Sequence, residues 1–326
     1  MIHGDDRRTR LEDWLRRELR DAPFSLAPAS EDASFRRYFR ATLEDGRSYI
    51  AMDAPPEKED CRPFVHVAAL LTAAGVHAPR VHAQNVQAGF LLLSDLGRRT
   101  YLAELNQTNA DRLMGDAIDA LLAWQLATRP GELPPYDEAL LRREMNLFPE
   151  WYLSRHLQKA LRPEQGAALE KVFAQLVRSA LAQPAVYVHR DYMPRNLMLS
   201  EPNPGVLDFQ DAVSGPISYD VVSLMRDAFI SWDEERVLDW SVRYWEIARR
   251  AHLPVERDFG EFWRALEWMG LQRHLKVLGI FARINYRDGK PKYLADTPRF
   301  LAYARSVASR YRELAPLNGL LDEVAA

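Results

Sequence analysis

The hydrophobic pattern of this chain changes period near residue 100, and few folds accommodate such a change. Residues 34–95 mix short strand-like runs with one helical segment, whereas from Tyr101 onward long patterns of helical spacing dominate. SFRRYFRAT and RSYIAMD are rich in aromatic and β-branched residues. They are joined by LEDG, whose Asp45-Gly46 pair suits a tight turn, so a hairpin is expected. PFVHVAALLTAAG places Val67, Leu70, Leu71 and Ala74 on one helical face and stops at Gly75. HAPRVHA and GFLLLSDL follow as two further strands. The pattern predicts an α+β, bilobal chain: residues 1–97 as an N-lobe built on a small antiparallel sheet, and residues 98–326 as a mostly helical C-lobe.

With 326 residues, 47% of them apolar, the chain has ample material for two cores. Its 43 basic and 46 acidic side chains give a net charge of −3, which provides no overall field to attract nucleic acid or an anionic membrane. The single cysteine, Cys61, excludes an internal disulfide and suits a reducing cytoplasm. The N-terminal segment MIHGDDRRTRLEDWLRRELR is charged throughout, unlike a secretory signal. It reads as a helix with Trp14, Leu15 and Leu19 on its buried face.

Three short β-like pieces, AVYVH, NLMLS and GVLDF, interrupt the helical part. They frame VHRDYMPRNLMLSEPNPGVLDFQD, Val188 to Asp211. Here His189, Asp191 and Asn196 form H-x-D-x-x-x-x-N, and Asp208 follows 12 residues after Asn196. A strand leads into a turn that presents Asp191, Pro194 restricts the turn's backbone, and Asn196 opens the returning strand. The second strand of that hairpin is expected to end at Asp208. An Asn carbonyl and an Asp carboxylate are hard oxygen ligands of the kind Mg²⁺ takes, with substrate phosphates completing the shell. Asp191 is then available to accept a proton from an attacking hydroxyl, the arrangement phosphoryl transfer needs. His189 is expected to brace the loop.

These residues resemble the catalytic loop and D-F-G of the protein-kinase-like superfamily, so the resemblance implies a protein-kinase-like fold, ATP and Mg²⁺. Gln210 stands where protein kinases have Gly, and only 12 positions separate Asp208 from Asp220, with no A-P-E. The short path resembles the aminoglycoside phosphotransferase and choline kinase branch, which phosphorylates small-molecule hydroxyls. There, Asp220 would support the catalytic loop. REMNLFPEWYLSRHL, YVHRDYMPRNLMLSEPNPGVLDFQDAVSGPISYDVVSLMRDAFISW and GIFARINYRDGKPKYLADTPRFLAYA further resemble the anomeric amino-sugar kinases of bacterial cell-wall recycling. That resemblance implies ATP-dependent phosphorylation of N-acetylmuramate and N-acetylglucosamine at C1. Another acceptor (an aminoglycoside, choline or an amino alcohol) and a catalytically silent binding module remain the alternatives.

The superfamily's third strand normally carries a phosphate-binding Lys, but SYIAMD places Met52 or Asp53 there, and the helix CRPFVHVAALL contains no Glu to pair with it. Candidate replacement cations are Arg36, Arg37, Arg40 and Arg195, with Arg37 or Arg40 preferred. Strand alternation puts Arg36, Tyr38 and Arg40 on one face and Arg37 and Phe39 on the other. Ser30 and Ser34 of the SEDASF turn are candidate phosphate donors, and Ser94, Asp95 and Leu96 are expected to meet the adenine edge. For the sugar, Gln210, Asp211, Glu150, Trp151, Trp232, Gln272, Arg273 and His274 are candidates. Arg273 or Arg283 is the candidate for a lactyl carboxylate, and the basic stretch LQRHLKVLGIFARINYR disfavours a cationic acceptor.

Overall fold

The computed structural model describes residues 3–30 and 35–325. Ser34, a candidate phosphate donor, and most of its turn lie outside them. The chain forms two compact units: one comprises the residues up to 104 together with 195–211, and the other comprises 105–194 and the residues from 212 onward.

The first unit is built on a five-stranded antiparallel sheet of β1 (Phe24–Ser30), β2 (Arg37–Leu43), β3 (Ser48–Asp53), β4 (Val81–Asn85) and β5 (Phe90–Ser94), in the order β1-β2-β3-β5-β4. The expected hairpin is β2–β3, in register from Arg37↔Asp53 to Thr42↔Ser48, and Gly46 takes the left-handed φ of 84° that its turn requires. The sequence pattern did not suggest β1, whose FSLAPAS lacks clean alternation. Pro28 is accommodated because β1 is an edge strand, and the register shifts between Pro28 and Ser30.

One face of the sheet is covered by α1 (His3–Glu18). Its Leu11, Trp14 and Leu15, spaced i, i+3 and i+4, pack on Phe39, Ala51, Phe90 and Leu92. Each such side chain contributes about 1.5–3 kcal/mol by leaving water. Helix α2 (Arg62–Ala73) brings Phe64 to 4.6 Å from Phe209 between ring centroids. After the short α3 (Tyr101–Glu104), the later segment 195–211 completes this unit.

The second unit is helical, with α4 (Ala110–Leu126), α5 (Glu138–Met145), α6 (Pro163–Ala182), α7 (Tyr219–Met225), α8 (Glu234–Arg250), α9 (Phe259–Asp288), α10 (Thr297–Arg310) and α11 (Ala315–Ala325). The 30-residue α9 is its spine. The Asp258 side chain caps its start by accepting the Glu261 N–H at 3.0 Å, and Gly289 ends it at φ 68°. Between α5 and α6, residues Phe148–His156 form a π-helix, a rare element enriched at functional sites. Among the described residues no helix is long and apolar enough to cross a membrane.

Strand β6 (Ala185–Val188) pairs with β9 (Val213–Pro216) in the second unit. In the first, β7 (Leu197–Met198) and β8 (Gly205–Val206) form the expected short hairpin. Its returning strand ends at Val206, two residues before the expected Asp208, because Asp208 adopts φ 63°, which no strand accommodates.

Candidate active site

In the first unit a cavity of about 500 Å³ lies against the sheet face opposite α1. Tyr38, Arg40 and Ile50 line it from the strands, Ser94–Leu96 from the end of β5, and Asn196 and Asp208 from the hairpin segment. The volume suits a nucleotide-sized ligand.

Alternation along β2 and β3 determines which side chains face this cavity. Met52 pairs with Tyr38 and so shares the cavity face. Asp53 pairs with Arg37 on the face covered by α1 and is fully buried. There its carboxylate accepts Nε–H of Arg37 and Nε–H of Arg7, each at 3.0 Å. Arg37 is therefore turned away from the cavity. Arg40 lines the cavity but is committed to Asp95: Nε donates at 2.5 Å, and Nη2 donates to Asp95 at 3.0 Å and to the Gly97 carbonyl at 2.8 Å. Burial alone would raise the Asp95 carboxyl, but Arg40, the Ser48 hydroxyl and the Gly97 N–H hold it below its ordinary value. Arg36 instead approaches Asp208, with Nη2 3.9 Å from Oδ1. Arg195 also lines the cavity.

Asp208 brings together Asn196 and Gln210 of the hairpin segment. The Asn196 amide donates to its Oδ2 at 3.5 Å, and the Gln210 amide donates to its Oδ1 at 3.1 Å and to Asp211 at 3.3 Å. Turning the Asn196 amide over would present its carbonyl oxygen beside the same carboxylate, the orientation that a bound cation would favour. Two hard oxygen ligands, with room in the cavity for phosphates, fit Mg²⁺, which seldom takes more than one or two carboxylates. No cluster of three or more His, Cys, Asp or Glu side chains suited to a softer or more demanding metal occurs among the described residues. The left-handed Asp208 backbone costs of order 1–3 kcal/mol, a strain of the kind found where a side chain is aimed for function.

In the second unit, β6 runs into a turn whose backbone is clamped by buried Asp220. One Asp220 oxygen accepts the His189 N–H at 2.6 Å and the other the Arg190 N–H at 3.0 Å. The Asp191 N–H donates to His189 Nδ1 at 3.2 Å. Burial pushes the Asp220 carboxyl up to about 7.

Beneath the turn lies a group of buried charges that the sequence reading missed. Glu144, at the end of α5, accepts from Arg190 at 2.5 Å and pairs with Lys276 of α9 at 3.0 Å. Its other oxygen accepts the Tyr136 hydroxyl. Lys276 also donates to the Tyr219 hydroxyl at 2.9 Å. Burial alone would raise the Glu144 carboxyl, yet Lys276 and Arg190 hold it at about 2. The available signal was Lys276 itself, a charge inside the apolar run LKVLGIF.

The remaining sugar candidates are scattered. Arg273 is 2% exposed, with Nη2 4.0 Å from Met193 Sδ. Trp232 packs edge-on against Trp240 and under Arg236. Glu150 and Trp151 lie on the π-helix, where Arg155 covers the Trp151 ring. Gln272 and His274 are buried within α9.

An α+β chain with a clamped H-x-D turn and an Asn/Asp oxygen pair in a nucleotide-sized cavity has the parts of a small-molecule phosphotransferase. The chain belongs to the phosphotransferase enzyme family, which matches residues 25–259. It is 60% identical over 299 residues to the N-acetylmuramate/N-acetylglucosamine kinase of Pseudomonas aeruginosa, covering 92% of this chain and 88% of that one. It is 54% identical to the protein of the same name from Pseudomonas putida, covering 100% and 99% of the two chains. The fold is that of the protein-kinase-like phosphotransferases: choline kinase from Cryptosporidium parvum superposes with a TM-score of 0.60 at 12% identity, over 91% of this chain and 93% of the other.

Proposed function

We propose that the chain transfers the γ-phosphoryl group of ATP to the C1 hydroxyl of N-acetylmuramate and N-acetylglucosamine, giving the α-1-phosphate, in cytoplasmic recycling of cell-wall sugars. The observation that carries this reading is the Asp220 clamp on the His189–Asp191 turn, in a chain 60% identical to a kinase named for these two sugars.

In this mechanism Asp191 accepts the proton of the anomeric hydroxyl, which is more acidic than an ordinary alcohol, so a carboxylate base suffices. The sugar oxygen forms a bond to the γ-phosphorus as the bond to the bridging oxygen breaks, and ADP departs. Asn196 and Asp208 would hold Mg²⁺, which neutralises phosphate charge when bound. Arg36, close to Asp208, and Arg195 take the place of the missing lysine, because Arg37 and Arg40 are committed to Asp53 and Asp95. The backbone of Ser94–Leu96 meets the adenine edge, and Gln210 and Asp211 approach the acceptor.

The test is transfer from ATP to each sugar, with the product assayed for its reducing end, since a C1 phosphate abolishes that reactivity. Wild type is expected to convert both sugars to non-reducing products, with Asp191→Asn slower by about 10²–10⁴-fold. Product that still reduces would rule out C1, and full activity in the variant would remove Asp191 as the base.

A further inference from the structure

Helix α5 and the π-helix after it run alongside α9, and the pairing can be followed rung by rung. At the first rung Glu144 and Lys276 are in contact at 3.0 Å. At the second, Gly279 meets Leu147 so closely that a Cβ on the glycine would lie 2.3–2.5 Å from the Leu147 carbonyl carbon, oxygen and Cβ, and only glycine fits. At the third rung Arg283 is near enough to Glu150 to feel its charge. Positions 276, 279 and 283 fall at i, i+3 and i+7, so all three lie on one stripe of α9.

The first and third rungs have the same polarity but different closure. Glu150 is exposed and influences Arg283 without forming an ion pair with it. Arg283 makes no ion pair with any described residue, and its Nε is sealed from solvent with no hydrogen-bond partner. Burial and the neighbouring Arg287 both disfavour its charge, and Asp288 and Glu150 only partly offset them. A half-buried guanidinium left in this state favours a carboxylate that arrives from outside. Arg273, ten residues earlier on α9, is sealed at 2% exposure beside Met193.

We propose that Arg283 recognises a carboxylate on the acceptor, the lactyl group that N-acetylmuramate carries and N-acetylglucosamine lacks. The inference rests on the amino-sugar kinase reading. From Lys276, which feels the charge of Asp191, to Arg283 is seven residues, or about 10.5 Å of helix rise. That distance is commensurate with a pyranose ring plus its lactyl arm. Glu150 competes for the same guanidinium, so an arriving carboxylate must displace its influence.

The experiment measures KM for both sugars in wild type, Arg283→Met, Arg283→Lys and Glu150→Gln. Loss of a charge-assisted contact should raise KM for N-acetylmuramate about 10–100-fold more than KM for N-acetylglucosamine in Arg283→Met. Arg283→Lys should recover part of that difference, and Glu150→Gln should lower KM for N-acetylmuramate relative to the other sugar. If Arg283→Met shifts both KM values alike, or neither, Arg283 does not recognise the acceptor's carboxylate, although wild-type turnover leaves the kinase reading intact. Wild type inactive on both sugars overturns the kinase reading and this inference together.

Discussion

Each unit buries one carboxylate between two cations, and the two arrangements serve different ends. In the first, Asp53 of β3 holds Arg37 of β2 and Arg7 of α1 on the sheet face away from the cavity, tying the N-terminal helix to the sheet. In the second, Glu144 holds Lys276 and Arg190, and Arg190 directly precedes Asp191. Both groups carry one more positive than negative charge. Their cations differ in access to water: the Arg37 side chain is 38% exposed, whereas that of Lys276 is 9% exposed. The same electrostatic device thus anchors a helix in one place and fixes the turn that carries Asp191, at a residue with φ 75°, in the other.

The largest effect is expected from Glu144→Gln. It leaves Arg190 and Lys276 buried without their anion, a loss of about 3–5 kcal/mol in denaturant unfolding. Because Arg190 is part of the turn, kcat should fall as well, with KM for ATP little changed. The double variant Glu144→Gln/Lys276→Met should regain part of the stability by removing one stranded cation. If the double variant is less stable than Glu144→Gln alone, the charges do not act as a unit.

A smaller effect is expected from Asp53→Asn, about 1–3 kcal/mol, because Arg7 and Arg37 can turn toward water when their partner is neutral. Its kcat should stay within about twofold of wild type, since the group lies across the sheet from the cavity. A fall in kcat as large as that of Glu144→Gln would end the contrast between an anchor and a catalytic support.

Local chemistry made much of this legible in the sequence. Asp45-Gly46 fixed the hairpin, the i, i+3, i+4 spacing fixed the buried face of α1, and the spacing of Asp191, Asn196 and Asp208 marked the polar segment. Strand alternation separated Arg37 from Arg36 and Arg40, but alternation does not say which face meets a cavity. That depends on where α1 packs, and so the preference for Arg37 had no local basis. Glu144 and Lys276 lie 132 positions apart, and nothing in either neighbourhood announces the other. The association of residues 195–211 with the sheet is likewise tertiary: the Val206 N–H donates to the His77 carbonyl at 2.7 Å and the Leu199 N–H to Arg99 at 2.8 Å.

Asp220 sharpens the comparison because it is as buried as Asp53 but has no cation in contact among the described residues, only backbone N–H donors and Arg273 at longer range. Its carboxyl stands near 7 in the fold against about 3.9 in the unfolded chain. The folded state therefore keeps a proton that the unfolded state loses, and this contribution to stability is full below about pH 4 and lost as pH rises toward 7. Glu144, held at about 2, behaves oppositely: its contribution is full above about pH 4 and is lost as pH falls toward 2. Asp220→Asn removes the titration at the cost of one turn contact, because an amide NH₂ faces a backbone N–H. The stability advantage of wild type over Asp220→Asn should therefore shrink between pH 4 and 7 and level off above, measured as unfolding free energy at fixed temperature. An advantage that grew over this range would mean that Arg273 compensates Asp220 as Lys276 and Arg190 compensate Glu144, making a second closed cluster beneath the same turn.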